Sequence, residues 1–174
     1  MKVVMWMAMS LNGMIAGIDN NEDFISHDSW LEWLKWVKKS GCLVWGRKTY
    51  EIVKTWDKRY FEDIKGVRAV IVSKNKDFQV KSGFVLVSSP KEAFEYLSRE
   101  GFETVVVTGG SENNSSFAKA GLIDEVVLNI EPVLVGQGIP LLKPSDIEQR
   151  LKLQDVIKIT PQLIQLHYEV LKEI

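Results

Sequence analysis

The sequence predicts an α/β fold with a mostly parallel central sheet and an antiparallel hairpin at its C-terminal end. Short apolar runs alternate with segments of helical periodicity through the first two thirds of the chain, which is typical of parallel strands with covering helices. The run 105–107 contains valine only, so it is expected to be buried on both faces of the sheet. No repeat, linker or low-complexity tract interrupts the 174 residues, and one domain spanning 1–174 is therefore expected.

The individual elements follow from the spacing of the apolar residues. The predicted strands of this first part cover residues 3–9, 42–45, 69–72, 84–87 and 104–107, and the predicted helices cover residues 28–39, 48–54, 90–99 and 111–120. Ser26 or Asp28 can cap the first helix, and Gly41 stands where a left-handed residue ends it. Pro90 suits the first turn of the third helix because it follows two serines.

The last third of the chain has a different pattern. Residues 124–130 are rich in β-forming side chains, and residues 151–159 and 163–170 alternate about a Thr-Pro-Gln turn. They predict a strand and an antiparallel hairpin that closes one edge of the sheet. Two glycines and three prolines in the segment 132–144 predict a long surface loop without regular structure.

Composition and charge argue against several classes of function. Lys and Arg total 22 against 23 Asp and Glu, so neither nucleic acid nor an anionic membrane is expected as a partner. No apolar run approaches the roughly 20 residues that cross a bilayer, and the N-terminus lacks a secretory signal pattern. Cys42 is the only cysteine and lies in an apolar strand, so an inert buried thiol is expected rather than a disulfide, a nucleophile or a metal site. A soluble, cytoplasmic protein is expected.

The first chemical motif is an apolar strand that ends at Gly46 and continues as Arg47, Lys48 and Thr49 at a helix start. A helix N-terminus has unpaired N–H groups and a partial positive charge, so this corner is a candidate phosphate site. The alternative is a turn glycine followed by a solvated Arg-Lys pair and a threonine that only caps the helix.

A second corner has the same construction, with Thr108, Gly109, Gly110 and Ser111 after another buried strand. Adjacent glycines let a backbone approach a ligand closely. Ligands of open α/β sheets bind beyond the carboxyl ends of the strands, so two such corners predict a site for a dinucleotide. Neither a Walker loop nor the G-x-G-x-x-G fingerprint occurs.

Segments along the whole chain occur in a characteristic order: 9–16 (MSLNGMIA), 46–51 (GRKTYE), 72–73 (VS), 108–111 (TGGS), 121–125 (GLIDE) and 132–138 (PVLVGQG). Together they resemble the dihydrofolate reductase superfamily, and within it the C-terminal reductase domain of riboflavin biosynthesis and its stand-alone relatives. The resemblance implies a dihydrofolate reductase-like three-layer fold and a homodimer. Because no deaminase signature is present, the chain does not correspond to the two-domain enzyme of that pathway.

The resemblance also implies NADPH as the cofactor. The implied cofactor contacts are Ala8, Ile15 and Ala16 at the nicotinamide, Gly46, Arg47, Lys48 and Thr49 at the phosphates, Val72, Ser73 and Lys74 at the adenosine end, and Thr108, Gly109, Gly110, Ser111 and Glu112 at the pyrophosphate. The paired glycines of the family are often joined by a cis peptide. Three cationic side chains in two separate turns favour NADPH over NADH, with Arg47 or Lys48 near the 2′-phosphate.

On the substrate side the sequence departs from the family pattern. Reductases that act on folate carry a carboxylate on the helix before the Gly-Arg turn, and the corresponding position here is near Trp30. Asp28 stands two residues earlier, about 200° away around the helix, but near enough to its start to reach the pocket. Asp28 and an ordered water are therefore the candidate proton donors. The alternative for Asp28 is a charge that complements the helix dipole.

Trp30 and Trp33 lie three residues apart on one helical face and could stack on a flat heteroaromatic substrate. Trp30 is favoured for this role over Trp36, Trp45 and Trp56, and the alternative is packing in the core or in a dimer interface.

Polar candidates for substrate contact come from two other segments. Asn12 stands where the family has the aspartate of Ser-Leu-Asp-Gly and keeps hydrogen-bonding capacity. Asn129 and Glu131 share one face of a strand and are expected to reach the substrate site, the alternative being solvation at a sheet edge.

Taken together, the residues and the resemblance predict an NADPH-dependent reductase that transfers hydride to a pterin, pyrimidine or related heterocycle. Dihydrofolate and a ribosylaminopyrimidine phosphate are the two substrate candidates, and the second needs a phosphate-binding cation near the pocket. The alternative is a non-catalytic NADP-binding sensor of the same fold.

Overall fold

An eight-stranded sheet covered by helices on both faces forms the centre of the computed structural model, which describes residues 1–172. The strands are β1 (Lys2–Ser10), β2 (Met14–Gly17), β3 (Cys42–Gly46), β4 (Arg68–Val72), β5 (Val85–Val87), β6 (Thr104–Val107), β7 (Glu125–Glu131), β8 (Gly138–Pro140), β9 (Leu151–Lys158) and β10 (Ile164–Val170). The helices are α1 (His27–Ser40), α2 (Arg47–Val53), α3 (Arg59–Asp63), α4 (Pro90–Arg99) and α5 (Ser111–Lys119).

The strand order of the main sheet is β5-β4-β3-β6-β1-β7-β10-β9. Neighbouring strands from β5 to β7 pair in parallel. β10 pairs antiparallel with both β7 and β9. The prediction of a mostly parallel sheet with an antiparallel C-terminal hairpin is therefore confirmed.

Two hydrophobic clusters, one on each face of the sheet, explain why the central strands are almost wholly apolar. Along β1, Val3 and Met5 pack into the cluster that includes side chains of α4 and α5, while Val4 and Trp6 pack into the cluster with α1 and α2. Successive strand residues point to opposite faces, so a strand covered on both sides must be apolar at every position.

The ends of α1 follow from local chemistry. The Ser26 side chain accepts a hydrogen bond from the backbone N–H of Ser29, so Ser26 rather than Asp28 is the N-cap. Gly41 ends the helix with a φ of 72° and donates its N–H to the carbonyl of Val37. Both ends agree with the sequence, and they fix the helix that carries the tryptophans.

The loop predicted for residues 132–144 is wrong in one part, because β8 lies within it and pairs antiparallel with β2 in a separate two-stranded sheet. Gly138 allows this pairing, since a Cβ at that position would lie 2.5 Å from the carbonyl oxygen of Ala16. The short helix α3 was also not predicted. Elements of three to five residues are too short to show a periodicity.

The carboxyl ends of β1, β3 and β6 meet at one edge of the main sheet, and the candidate site lies there. Within residues 1–172, no helix has both the length and the apolar character needed to span a membrane.

Candidate active site

The two glycine-bearing corners lie side by side, as the sequence predicted. The backbone N–H of Gly46 donates to the carbonyl oxygen of Gly109 over 2.9 Å. A Cβ at Gly46 would lie 3.0 Å from Cβ of Asn113, and a Cβ at Gly110 would lie 3.0 Å from Oγ1 of Thr49. The Gly109–Gly110 peptide bond is cis, and Gly109 has a φ of +78°. Only glycine permits so close an approach between the two corners.

The start of α5 carries polar groups beyond those that the fold uses. Oδ1 of Asn114 accepts from the N–H of Gly109 at 3.0 Å, and Nδ2 of Asn113 donates to the Gly109 carbonyl at 3.1 Å. Within residues 1–172, the buried Oγ of Ser111 and Oδ1 of Asn113 have no hydrogen-bond partner. Unmatched buried polar atoms at a helix start are suited to a ligand.

Cationic side chains from three segments converge on Glu112, the second residue of α5. Nζ of Lys143 lies 3.0 Å and Nζ of Lys48 lies 3.8 Å from its carboxylate. The hydrogen bond from Lys143, helped by the charges of Lys48 and Lys74, lowers the pKa of Glu112. Lys48 and Lys74, which the resemblance assigned to the phosphates and to the adenosine end of the cofactor, thus act on one carboxylate.

Arg47 lies at the start of α2 and makes a local ion pair. Its Nη1 is 3.0 Å from both carboxylate oxygens of Glu51, and its guanidinium lies 5.8 Å from the ring centroid of Phe78. The alternative interpretation, a solvated Arg-Lys pair, therefore does not describe Arg47 fully, because Glu51 and Phe78 hold its side chain.

The turn after β4 lies next to the Gly46 corner. Val72 is the register partner of Gly46, so Ser73 and Lys74 follow directly beside the corner. The buried Ser73 side chain closes this turn by accepting from the N–H of Asn75 at 3.1 Å, whereas Lys74 is exposed.

A cavity of about 520 Å³ opens in front of both corners and extends towards α1. Eight of the predicted cofactor and substrate contacts line it: Ala8, Ile15, Trp30, Trp33, Thr49, Thr108, Gly109 and Gly110. Two of the three implied nicotinamide contacts, Ala8 and Ile15, are thereby brought to one cavity with Trp30 and Trp33.

Aromatic rings form the wall on the α1 side. The Trp30 centroid lies 4.6 Å from those of Trp33 and Tyr60, and 6.3 Å from that of Trp56. Trp30 is half-buried, and its indole N–H donates to Asp63 over 3.2 Å. Trp33 is buried against Trp30 in the core and also lines the cavity, so both interpretations of it hold.

Three carboxylic acids line the cavity near this wall: Glu22, Asp23 and Asp57. Burial raises the pKa of the Glu22 carboxyl to about 7. Hydrogen bonds from the backbone and side chain of Arg59 lower the pKa of the exposed Asp57. Two carboxyls on the same cavity therefore have different protonation behaviour near neutral pH.

Several predicted site residues lie outside the cavity lining. Asp28 is exposed in the first turn of α1, so its catalytic role stays a prediction without support from its position. Asn12 uses its side chain within the protein, accepting from the N–H of Val135 at 3.0 Å and donating to the Val135 carbonyl at 2.8 Å. Ala16 is buried in β2 opposite Ile139.

Asn129 and Glu131 lie on an internal strand and are buried, so the alternative of solvation at a sheet edge is wrong. Oε1 of Glu131 accepts from the N–H and the hydroxyl of Ser26 and from the hydroxyl of Ser29. Nδ2 of Asn129 donates to the same Ser29 hydroxyl at 3.0 Å. They fix the start of α1 to the sheet and stand behind Ser29, which lines the cavity.

Sequence reasoning missed Glu22 and Tyr60, and it ranked Trp56 behind Trp30. Glu22 lies in the loop between β2 and α1, and Tyr60 lies in the short helix α3. Neither loop nor short helix has a periodicity that marks an inward-facing side chain. Only the clustering of Trp56 and Tyr60 within five residues could have indicated this wall.

Cys42 matches its expectation as an inert thiol. It is completely buried in β3, and burial raises its pKa to about 12. A thiol with so high a pKa is not a nucleophile near neutral pH.

Comparison with known proteins agrees with this geometry. Residues 1–165 match the model of the RibD C-terminal domain. The uncharacterized protein YwjB of Bacillus subtilis (strain 168) is 29% identical over 177 residues, covering 96% of this chain and 97% of that protein.

Solved structures with the same fold include proteins that this chain covers almost completely and one of which it covers little more than half. A putative riboflavin biosynthesis protein from Shewanella sp. PV-4 has a TM-score of 0.79 at 22% identity, covering 99% of this chain and 100% of that one. A pyrimidine reductase-like protein from Corynebacterium diphtheriae has a TM-score of 0.78 at 14% identity, covering 99% and 92%. RibD of Acinetobacter baumannii has a TM-score of 0.79 at 20% identity, covering 98% of this chain and 58% of that protein.

The sequence resemblance, the strand order and the family match agree over nearly the whole length of the chain. The chain therefore belongs to the RibD C-terminal domain family, the reductase family of the riboflavin pathway.

Proposed function

We propose that this protein is an NADPH-dependent reductase that transfers hydride to a C=N or C=O bond of a heterocyclic substrate. The observation that carries the proposal is the contact between Gly46 and Gly109, which joins two glycine corners at the mouth of a cavity with an aromatic wall. One side of this cavity suits a dinucleotide and the other suits a flat ring.

The residues around the corners fit a phosphorylated dinucleotide. The unpartnered Oγ of Ser111 and the N-terminus of α5 offer hydrogen bonds to a pyrophosphate. Lys48 and Lys74 reach the same region and would exchange the Glu112 carboxylate for phosphate oxygens. The family is generally NADPH-dependent, which supports the phosphorylated cofactor over NADH.

When bound, NADPH supplies the hydride. The chain itself contributes position: Ala8 and Ile15 line the cavity where the nicotinamide is expected, and the Trp30 wall lines the same cavity. Holding two reacting groups in register can lower a barrier by roughly 7 to 11 kcal/mol at best. The aromatic wall also excludes water from the reacting edge, and the proton that completes the reduction must come from a group or a water at the cavity.

The proposal is tested by titrating the purified protein with NADPH while following its tryptophan fluorescence. NADPH absorbance is then followed after addition of dihydrofolate or of 5-amino-6-(5-phosphoribosylamino)uracil, and afterwards of unphosphorylated aminopyrimidines and pterins. Saturable quenching with oxidation by at least one heterocycle is expected. Absence of NADPH binding contradicts the proposal, and binding without turnover of any heterocycle favours the sensor alternative.

We also propose that the protein forms the homodimer that the resemblance implies. β9 is the last strand of the main sheet and exposes Leu151, Leu153 and Val156 by 40%, 51% and 52%. An unpaired strand edge with exposed apolar side chains favours pairing with a second copy.

A further inference from the structure

A second cavity, of about 680 Å³, lies apart from the candidate active site. It opens where β4 and β5 begin: Arg68, the first residue of β4, lines it, and so does the turn 81–84 that leads into β5. Because β4 and β5 run parallel to β3, their first residues lie at the edge of the sheet opposite the Gly46 corner. No residue of the described chain lines both cavities. The second cavity is therefore a separate candidate site, and its volume is within the usual range for small ligands.

Four cationic side chains line this second cavity, which we call the basic cavity: Lys58, Lys65, Arg68 and Lys81. Glu62 is the one acid among its described lining residues, and it is exposed, so the lining keeps a positive excess of three charges. Within residues 1–172, none of the four cations forms an ion pair. Like charges gathered around one cavity repel one another, and a bound anion relieves this repulsion. The basic cavity is thus suited to an anion with more than one charge.

Two of these cations are held at the cavity by the fold. Arg68 is half-buried, and its backbone N–H donates to the carbonyl of Gly41 at 2.9 Å, which fixes its place at the start of β4. Nζ of Lys81 lies 5.0 Å from the ring centroid of Phe61, so the ammonium group is held over an aromatic face. Side chains that are already placed lose less conformational entropy when a ligand binds. Arg68 and Lys81 are therefore expected to contribute most to the affinity for an anion.

Two turns of the same kind add hydrogen-bond donors to the basic cavity. In each of the segments 64–67 and 81–84, the N–H of the fourth residue donates to the carbonyl of the first over 3.0 Å. The third residue is a glycine, Gly66 or Gly83, and each has the φ of +87° that this turn requires. Among the described residues, no backbone carbonyl accepts from the N–H of either glycine, and the exposed Ser82 hydroxyl lines the same cavity. Backbone N–H groups in turns are known to bind anions such as phosphate.

The basic cavity also has an apolar wall. Ile64 is buried, and Phe61 and Phe84 are half-buried with ring centroids 6.1 Å apart. All three belong to the hydrophobic cluster that packs on α1 and α2. An inorganic anion would leave this wall and much of the volume unused. A ligand that fills the cavity therefore combines phosphate groups with an apolar or aromatic body.

We propose that the basic cavity binds an organic diphosphate, a molecule with two linked phosphate groups on a flat or apolar body such as a nucleoside. A diphosphate ester carries about three negative charges near neutral pH, which matches the positive excess of the lining. The phosphate groups contact Arg68, Lys81 and the N–H groups of the two turns, and the body packs on Phe84. This site does not depend on the proposed reductase activity, because it shares no residue with the cavity at the glycine corners.

The test measures binding of uridine 5′-diphosphate, uridine and inorganic pyrophosphate to the full chain by calorimetry. Uridine lacks the phosphates and pyrophosphate lacks the nucleoside, so the three compounds separate the two parts of the ligand. The variants Arg68→Gln and Lys81→Gln each remove one cation from the cavity. The matched control is Lys76→Gln, because Lys76 is an exposed lysine in the same connection between β4 and β5 but does not line the cavity. Lys48→Gln removes a cation at the start of α2 instead.

For the wild type we expect uridine 5′-diphosphate to bind more tightly than pyrophosphate, and uridine to bind more weakly than either. Arg68→Gln and Lys81→Gln should each weaken uridine 5′-diphosphate by about tenfold or more, since a hydrogen bond between charged groups is lost. Lys76→Gln and Lys48→Gln should bind it like the wild type. NADPH is titrated separately, and Arg68→Gln and Lys81→Gln should leave its affinity unchanged.

The inference is overturned if uridine 5′-diphosphate does not bind, if uridine binds equally tightly, or if both cavity variants keep the wild-type affinity. A loss for Lys48→Gln as large as that for Arg68→Gln also overturns it, because the diphosphate would then occupy the glycine corners. An equal loss for Lys76→Gln does the same, since it indicates unspecific attraction to lysines. Each of these results can occur while NADPH still binds, whereas loss of NADPH binding in the wild type removes the proposed function alone. A circular-dichroism melt of each variant shows whether a change in binding comes from unfolding.

Discussion

The backbone N–H of Gly46 points to the carbonyl oxygen of Gly109 and donates to it over 2.9 Å. This bond joins the ends of β3 and β6, which are neighbours in the sheet although β4 and β5 separate them in the chain. The start of α2, with its cations Arg47 and Lys48, therefore lies beside the start of α5, and the proposed binding of a dinucleotide depends on this proximity.

Gly46→Ala tests that dependence. The added Cβ would meet Cβ of Asn113 at 3.0 Å, so the two corners must separate by a few tenths of an ångström. We expect the free energy of unfolding to fall by about 1 to 3 kcal/mol, the usual range for overpacking, and NADPH affinity to fall as well. Chemical denaturation and fluorescence titration measure the two effects.

The matched control for this prediction is Gly136→Ala. Gly136 has open space around its Cβ position and no positive φ, so the substitution should change neither quantity. Equal stability and equal NADPH affinity of the two variants would show that the contact between the corners is unimportant.

The meeting of these corners could be predicted from the sequence because it depends on short-range features. Gly46 and Gly109 each follow a run of apolar residues that only a doubly covered parallel strand explains, and parallel strands end at the same edge. The ends of α1 at Ser26 and Gly41 are likewise local, since each depends on one side chain or one φ angle.

Three other features could not be predicted in the same way, because they arise from packing between distant segments: the environment of Glu22, the burial of Asn129 and Glu131, and the pairing of β2 with β8. Glu22 acquires its raised pKa only when its loop is buried against the cavity. Asn129 and Glu131 could be interpreted as edge residues because β10, which pairs with their strand β7 on its outer side, follows much later in the chain. The β2–β8 pair was missed for a similar reason, since glycine and proline, here Gly138 and Pro140, are unfavourable in a strand unless the pairing partner is known.

Arg47→Ala tests which cation recognises the 2′-phosphate. If Arg47 faces this group, the variant should lose about 1.5 to 3 kcal/mol of NADPH binding free energy, the range for hydrogen bonds to charged groups, and far less with NADH. Calorimetric titration of both cofactors gives the two values. The parallel variant Lys48→Ala shows the same selectivity if Lys48 has this role instead. Equal losses for both cofactors would contradict the assignment to Arg47.

Glu131→Ala tests the anchor of α1. Oε1 of Glu131 accepts from the Ser26 N–H at 2.9 Å, from the Ser26 hydroxyl at 2.8 Å and from the Ser29 hydroxyl at 2.5 Å. Removing a buried acceptor leaves these donors unsatisfied, so the free energy of unfolding should fall by about 2 to 4 kcal/mol. Urea denaturation measures this loss.

Glu125→Ala is the control on the same strand. Glu125 pairs with the exposed Lys2, so its removal should lower the free energy of unfolding by less than about 1 kcal/mol. A loss for Glu131→Ala no larger than that of the control would mean that the buried network does not hold α1.

Leu153→Glu tests the proposed homodimer. Leu153 is 51% exposed on the edge strand β9, and a carboxylate there should oppose contact with a second copy. Light scattering after gel filtration should show a dimer for the wild type and a monomer for the variant. Leu134→Glu is the control, because Leu134 is 71% exposed outside β9. A wild-type monomer, or a variant that stays dimeric, contradicts this interface.

Glu22→Gln tests whether burial of the Glu22 carboxyl affects stability. The folded protein keeps the proton up to a pKa of about 7, whereas the unfolded chain releases it near the ordinary value of 4.5. Between these values the folded state binds more protons, so the contribution of Glu22 to the free energy of unfolding falls as pH rises. Because Glu22 is only half-buried, we expect a fall of roughly 1 to 3 kcal/mol in the free energy of unfolding, less than the full shift would give.

The comparison of the wild type with Glu22→Gln isolates this carboxyl. Asp23, His27, Asp57 and Tyr60 also line the cavity, but the wild type and the variant both contain them. The wild type should therefore lose stability relative to Glu22→Gln between pH values of about 4.5 and 7, as measured by urea denaturation. Parallel pH profiles for the two proteins would show that the carboxyl is hydrated and titrates as it does in the unfolded chain.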